Sequence, residues 1–262
     1  FGRLPGDIGI GNVRYTTSGK CDEKSLVRGT QPVTASKKRF KLAISFNGNI
    51  VNTFQLKKEV LKQFPRFSYE CDANLVCHKL FIEYLEDYDL PSAVETCMRE
   101  IDGAFSVACI TQDGDFFAFK DPHGIRPLCA GHSIDKSTYA FSSETASLDI
   151  NGFQRDFELQ PGELVTATKD GFKRKTLVSG KRKAFCAFEF AYFARPDSRF
   201  DDKYVYEVRE EFGRNLVREN PNIVKEADIV ISVPETADDA ALGVHEASGL
   251  RWERASRRHR YV

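Results

Sequence analysis

The sequence predicts an α+β layered domain followed by the opening of an open α/β domain. Three observations predict it. An alternating strand at residues 40–45 gives way to apolar residues at helical spacing up to residue 101. From Gly103 the period returns to two, with turn residues between the runs. Beyond residue 204, helical spacing, the β-branched run Ile229-Val230-Ile231-Ser232-Val233 and a second helical segment follow one another, as in a parallel-sheet unit. The predicted division is residues 1–183 and 184–262.

The 262 residues suffice for one large domain or two ordinary ones. Lys plus Arg (38) equals Asp plus Glu (38), so no overall field favours nucleic acid or an acidic membrane. No apolar run approaches the roughly 18 residues needed to span a bilayer, and no signal peptide is visible. The seven cysteines are scattered among apolar neighbours without a Cys-x-x-Cys pair. They read as reduced, mostly buried thiols of a cytoplasmic protein. The sequence opens at Phe1 in a Gly-rich stretch and stops after a basic cluster, which predicts further chain on both sides.

In order along the chain, Ile8, Ile10, Val13 and Tyr15 predict a short bulged strand ending in the hydroxyl-rich turn Thr16-Thr17-Ser18. Arg14 lies within that apolar segment and requires an anion, either a structural carboxylate or that of a substrate. Residues 20–40 are polar, with a loop at Gln31-Pro32. Asn47-Gly48 then follows the alternating run. It reads as a hairpin turn, or as an exposed polar corner between strand and helix that aims a side-chain amide and a main-chain N–H at one point. The helical spacing of Leu56, Val60, Leu61 and Phe64 favours the corner.

Leu75, Val76, Leu80, Phe81, Tyr84 and Leu85 share one face of a second helix, for which Asp72 is the predicted N-cap. Residues 93–101 form a third helix. Strands are predicted at 104–111, 115–119, 138–143 and 162–168. Between them lies a Pro- and Gly-dense loop, Asp121-Pro122-His123-Gly124-Ile125-Arg126-Pro127-Leu128, in which His123 reads as a solvated residue. The basic stretch 173–183 suits a solvated strand pair or linker. An aromatic strand is predicted at 184–194, then helices at 204–217 and 238–247 flanking a buried parallel strand at 229–233. Ligands of open α/β folds sit beyond such a strand's carboxyl end, here near 234–237.

Several stretches together resemble the amidophosphoribosyltransferase family. They are Gly11-Asn12-Val13-Arg14-Tyr15-Thr16-Thr17-Ser18-Gly19, Gln31-Pro32, Asn47-Gly48-Asn49-Ile50-Val51-Asn52, Gly103-Ala104-Phe105-Ser106, Gly124-Ile125-Arg126-Pro127-Leu128, Pro161-Gly162-Glu163 and Phe193-Ala194-Arg195-Pro196-Asp197-Ser198, in order over nearly the whole chain. Asn-Gly-Asn and Gly-Ile-Arg-Pro-Leu are shared with other class II amidotransferases, whereas Phe-Ala-Arg-Pro-Asp-Ser is specific to this family. The resemblance implies an N-terminal-nucleophile αββα sandwich (the glutaminase), followed by the start of an α/β phosphoribosyltransferase domain. It implies glutamine and phosphoribosyl pyrophosphate as substrates, with ammonia displacing pyrophosphate to give phosphoribosylamine, the first step of de novo purine biosynthesis. By motif, Asn47 and Gly48 would form the oxyanion hole. Arg14 would bind the α-carboxylate of glutamine, Asp72 its α-ammonium, and Thr17 would line the pocket. A homo-oligomer is implied, with no nucleic-acid or membrane partner. Magnesium is implied for the phosphoribosyl pyrophosphate site, outside this sequence, and Cys186 stands where some members carry an iron–sulfur ligand.

The sequence also departs from the family. The nucleophile of the family is an N-terminal cysteine whose α-amine acts as base, and it precedes the residues present here. Asn12 and Phe46 stand where histidines are usual, Ala73-Asn74 replace Thr-Glu, and Val233-Pro234-Glu235-Thr236 replace Pro-Asp-Ser. An alternative is therefore an inactive or regulatory paralogue that keeps the glutaminase fold. The fragment alone is expected to be inactive.

Overall fold

A computed structural model describes residues 6–13, 27, 29–180 and 182–257. Its contacts divide the chain into two compact units, Phe1–Ser143 with Ser147–Phe185, and Glu144–Ala146 with Cys186–Val262.

The first unit is a sandwich of two antiparallel sheets between helices. Six strands, β1 (Val33–Lys37), β2 (Phe40–Ile50), β3 (Gly103–Thr111), β4 (Phe116–Lys120), β8 (Glu163–Thr168) and β9 (Gly171–Thr176), lie side by side in that order. The second sheet has the order β6 (Tyr139–Ser142), β5 (Cys129–Ser133), β7 (Phe153–Glu158). Along β2, Leu42, Ile44 and Phe46 alternate inward and are buried. They pack with Leu56 and Val60 of α1 (Thr53–Gln63), Leu75, Val76, Leu80 and Phe81 of α2 (Asp72–Asp87), and Val94, Cys97 and Met98 of α3 (Leu90–Glu100). Each fully buried Leu or Phe of this layer stabilises the fold by about 1.5–3 kcal/mol. On the other face Ala118 and Val165 meet Ala130 and Leu159, with Phe141, Phe157 and Phe172 closing that inter-sheet core. Leu148 of α4 (Thr145–Ile150) rests against Gly131 of the second sheet, giving the fourth layer. The αββα architecture expected from the sequence is the one observed.

Lys79, 5% exposed, ties the three helices together, with Glu59 of α1 at 3.2 Å, Glu83 at 2.7 Å and Glu100 of α3 at 2.5 Å. Burial alone would lower its pKa, but the three carboxylates reverse that and raise it.

Several local expectations are overturned. Asn47-Gly48 is neither hairpin nor corner: β2 runs straight through it to Ile50, because β3 offers a registered partner from Leu42↔Thr111 to Ile50↔Gly103. A continuous ladder outweighs a local turn preference. The chain turns at Val51-Asn52, where Asn52 Oδ1 accepts from Asp102 N–H (3.0 Å) and Asn52 Nδ2 donates to Glu100 O (2.8 Å). Asp72 is the first helical residue rather than the N-cap, which is Cys71. Residues 6–13 form no strand, and the polar stretch before β2 contains β1.

In the second unit, the predicted aromatic strand is instead helical, with a π-helical turn at Glu189–Phe193. The buried guanidinium of Arg209 closes that turn by donating to Phe190 O (2.7 Å) and Ala194 O (2.8 Å). A short hairpin of β10 (Arg199–Phe200) and β11 (Lys203–Tyr204) precedes α5 (Val205–Glu219), α6 (Pro221–Glu226), β12 (Ile229–Ile231), α7 (Asp238–Ser248) and β13 (Arg251–Glu253). β12 and β13 are parallel, as expected of an α/β unit. Yet β12 is not buried: Ile229 is 50% and Ile231 56% exposed, because a two-stranded sheet covered by α7 leaves a face open.

Candidate functional site

The site grows from the pleat of β2. With Phe46 turned towards the helices, Asn47 points to the opposite face, together with Ser45. Asn47 stands opposite Ser106 of β3, and Ser106 opposite Lys120 of β4. Directly opposed residues share a face, so these three polar side chains form one row. Lys120 is buried, which lowers its pKa, while the Glu158 carboxylate at 3.9 Å opposes the shift.

The main-chain groups of β2 divide by parity, since alternate residues use the same strand edge. Val51 N–H donates to Asp102 O (2.8 Å) on the β3 side, so Phe46, Gly48 and Ile50 face the other edge, beyond the end of β1. There Phe46 N–H donates to Gln31 Oε1 (2.7 Å) and Gln31 Nε2 donates to Phe46 O (3.2 Å). The side-chain amide replaces the next residue of β1. Ile50 N–H donates to Asp72 Oδ2 (2.9 Å), and Tyr69 Oη donates to Asp72 Oδ1 (2.5 Å). Burial, then the Asp72 carboxylate, raise the pKa of Tyr69 above the ordinary value, keeping this hydroxyl a donor. The Gly48 N–H lies between these two anchored positions, about 7 Å along the strand from each. Only glycine fits here: a Cβ would lie 2.2 Å from Ala104 O and 2.8 Å from Phe105 Cα.

Arg126 fixes the remaining donor. Its Nε and Nη2 donate to Asn47 Oδ1 at 3.0 and 2.7 Å. A guanidinium has no acceptor, so the amide oxygen must face it and the NH2 group must face away. Among the described residues, Asn47 Nδ2 has no hydrogen-bond partner. The loop carrying Arg126 is built on Asp121, whose carboxylate accepts from the N–H groups of Phe105 (3.0 Å), His123 (2.8 Å), Gly124 (2.8 Å) and Ile125 (3.1 Å). Gly124 adopts φ +70° and has Pro161 against it, a geometry that suits glycine. Ser106 Oγ donates to Arg126 O (2.8 Å), pinning the loop to the same row.

The structure thus gathers Asn47, Gly48 and Asp72 along one end of β2. Two donors and a carboxylate there can hold an oxygen that gains charge and an ammonium group. Arg14 and Thr17 lie outside the described residues. The chain just before them is held against β2 two residues from Asn47, where Ser45 Oγ donates to Gly11 O (2.9 Å) and accepts from Asn12 Nδ2 (3.1 Å). His123 is exposed, as expected. The sequence reading assigned no role to Arg126, Asp121 or Gln31. The available signal was an arginine in a rigid Pro- and Gly-rich loop opened by Asp-Pro.

Residues 21–149 match the family model described as a glutamine amidotransferase domain. More narrowly, the chain is homologous to the amidophosphoribosyltransferases. It is 33% identical to that of Methanothermobacter thermautotrophicus over 99% of this chain and 52% of the relative. The figures for the Homo sapiens protein are 33%, 98% and 52%. The glutamine phosphoribosylpyrophosphate amidotransferase of B. subtilis, solved with ADP and GMP, superposes with a TM-score of 0.83 at 29% identity, covering 95% of this chain and 52% of that one. The chain therefore spans about half the length of the curated relatives it matches.

Proposed function

We propose that this chain carries the glutamine site of an amidophosphoribosyltransferase acting in the cytoplasm, in the first step of de novo purine biosynthesis. Glutamine binds with its α-ammonium on Asp72 and its α-carboxylate on Arg14, beside Thr17. A thiolate, supplied in this family by an N-terminal cysteine, attacks the carboxamide carbon. The carbonyl oxygen becomes an oxyanion and receives hydrogen bonds from Asn47 Nδ2 and Gly48 N–H. Ammonia leaves, and water hydrolyses the thioester to glutamate. The ammonia then displaces pyrophosphate from phosphoribosyl pyrophosphate elsewhere in the whole protein.

The observation that carries this reading is the pair of donors, one turned outward by Arg126 and the other left between Gln31 and Asp72. Four of the described cysteines are unsuited to act as the nucleophile. Burial pushes Cys129 up to about 12 and raises Cys77, Cys97 and Cys109 as well. Among the described residues no three His, Cys, Asp or Glu side chains are grouped to hold a metal, and no step is assigned to magnesium or an iron–sulfur cluster. Phe46 and Ala73, two departures behind the paralogue reading, fill the helix-side core on the face opposite Asn47. They alter packing and leave the donors in place, which favours the active enzyme.

The test is steady-state glutaminase kinetics on the full-length protein. Asn47→Ala is expected to lower kcat about 100- to 1000-fold, as loss of one oxyanion donor does. A wild-type kcat in that variant would remove Asn47 from the reaction.

A further inference from the structure

Resting on the glutaminase reading above, we infer that Arg126 is a positioning residue that sets the orientation of the Asn47 amide, and so decides whether a donor or an acceptor meets the developing oxyanion. An asparagine amide is nearly symmetric in shape but opposite in polarity at its two ends. Turned one way, Nδ2–H stabilises negative charge on the substrate oxygen; turned the other, Oδ1 repels it. Nothing within the side chain chooses between them. The neighbour directly across the sheet, Ser106, does not choose either, since its hydroxyl donates to Arg126 O at 2.8 Å and makes no hydrogen bond with the amide.

Arg126 chooses through two donors converging on one oxygen, Nε at 3.0 Å and Nη2 at 2.7 Å. A flipped amide would set its NH2 against the guanidinium, donor to donor beside a positive charge. The loop behind Arg126 is itself held, with Asp121 taking four main-chain N–H groups and Gly162 N–H bonding to Asp121 O (2.9 Å). The guanidinium is therefore anchored to a rigid loop and pinned to the sheet, the arrangement that pre-organised stabilisation requires. Arg126 acts on the substrate through the Asn47 amide, to which its Nε and Nη2 donate.

Steady-state glutaminase kinetics on the full-length protein test this with Arg126→Met, Asn47→Ala and the double variant. Arg126→Met is expected to lower kcat about 10- to 100-fold with KM within about threefold, since ground-state contacts are kept. In the Asn47→Ala background the same substitution should change kcat by less than about twofold, because the group it orients is gone. A fully additive double variant overturns the inference, Arg126 then serving the loop alone. If Arg126→Met does not fold, Arg126→Lys retains the charge but offers one donor point instead of a fork. It should fold and lose kcat, and the loss should vanish in the Asn47→Ala background. A wild-type kcat in Arg126→Lys, or a loss that persists without Asn47, overturns the inference. A wild-type protein without glutaminase activity would instead overturn the proposed function, and this inference with it, so the two failures are distinct.

Discussion

Two buried carboxylates frame the site, and they are used differently. Asp121, at the end of β4, is 0% exposed and accepts from four main-chain N–H groups. A carboxylate has about four acceptor positions, so Asp121 is saturated by its own fold. Asp72, at the start of α2, is 7% exposed and accepts one N–H and one hydroxyl. Its remaining acceptor positions suit an ammonium group. One acid builds the loop that carries Arg126, whereas the other is held by the fold and still has capacity to bind. Similar burial thus does not imply similar use; the number of donors already satisfied separates them.

The largest expected effect follows from saturation. Asp121→Asn turns an NH2 group towards two of the four backbone donors and leaves both unpaired, so stability should fall by about 3–5 kcal/mol. Urea denaturation of the 262-residue chain measures this, and a loss under about 1 kcal/mol would break the comparison. Asp72→Asn should act mainly on binding. Its amide oxygen can still accept from Ile50 N–H, so stability should drop by only about 1–2 kcal/mol. Affinity for glutamine, read by calorimetry, should fall by about 2–3 kcal/mol, or more than tenfold. Equal losses of stability in the two variants would erase the distinction.

The same contrast shows what a sequence can and cannot reveal. The first two helices under the large sheet were legible because Leu56, Val60, Leu75, Leu80 and Phe81 repeat at helical spacing and are the residues buried. Strands β3, β4, β6 and β8 were legible from alternation between clear turns. Asn47-Gly48 was not legible as a strand, because the ladder that straightens it comes from β3, more than fifty residues away. Arg126 was out of reach for a similar reason: its partner Asn47 is 79 positions distant. The aromatic stretch misled because β propensity reports a half-buried pleated surface, and here Arg209 holds the carbonyls of Phe190 and Ala194 in a helical turn instead. In each case the missing information was long-range.

The smallest effect sharpens the comparison most finely, because it changes only how full Asp72 is. Tyr69→Phe removes the hydroxyl that donates to Asp72 Oδ1 and should cost about 0.5–1.5 kcal/mol of stability. It also frees an acceptor position without touching the charge, so glutamine affinity should change by less than about threefold; abolished binding would make Tyr69 part of the ligand site. The pH dependence has a definite sign. Burial first, and Asp72 second, make the folded protein hold the Tyr69 proton to higher pH than the unfolded chain does. The folded state thus binds more protons once pH passes the ordinary tyrosine value of 10.0, and stability falls as pH rises beyond it. The hydroxyl's contribution is whole below that pH. The stability gap between wild type and Tyr69→Phe should therefore be constant from neutral pH to about 9 and narrow above 10. A gap that widened there would mean that the phenolate, not the phenol, is the form the fold prefers beside Asp72.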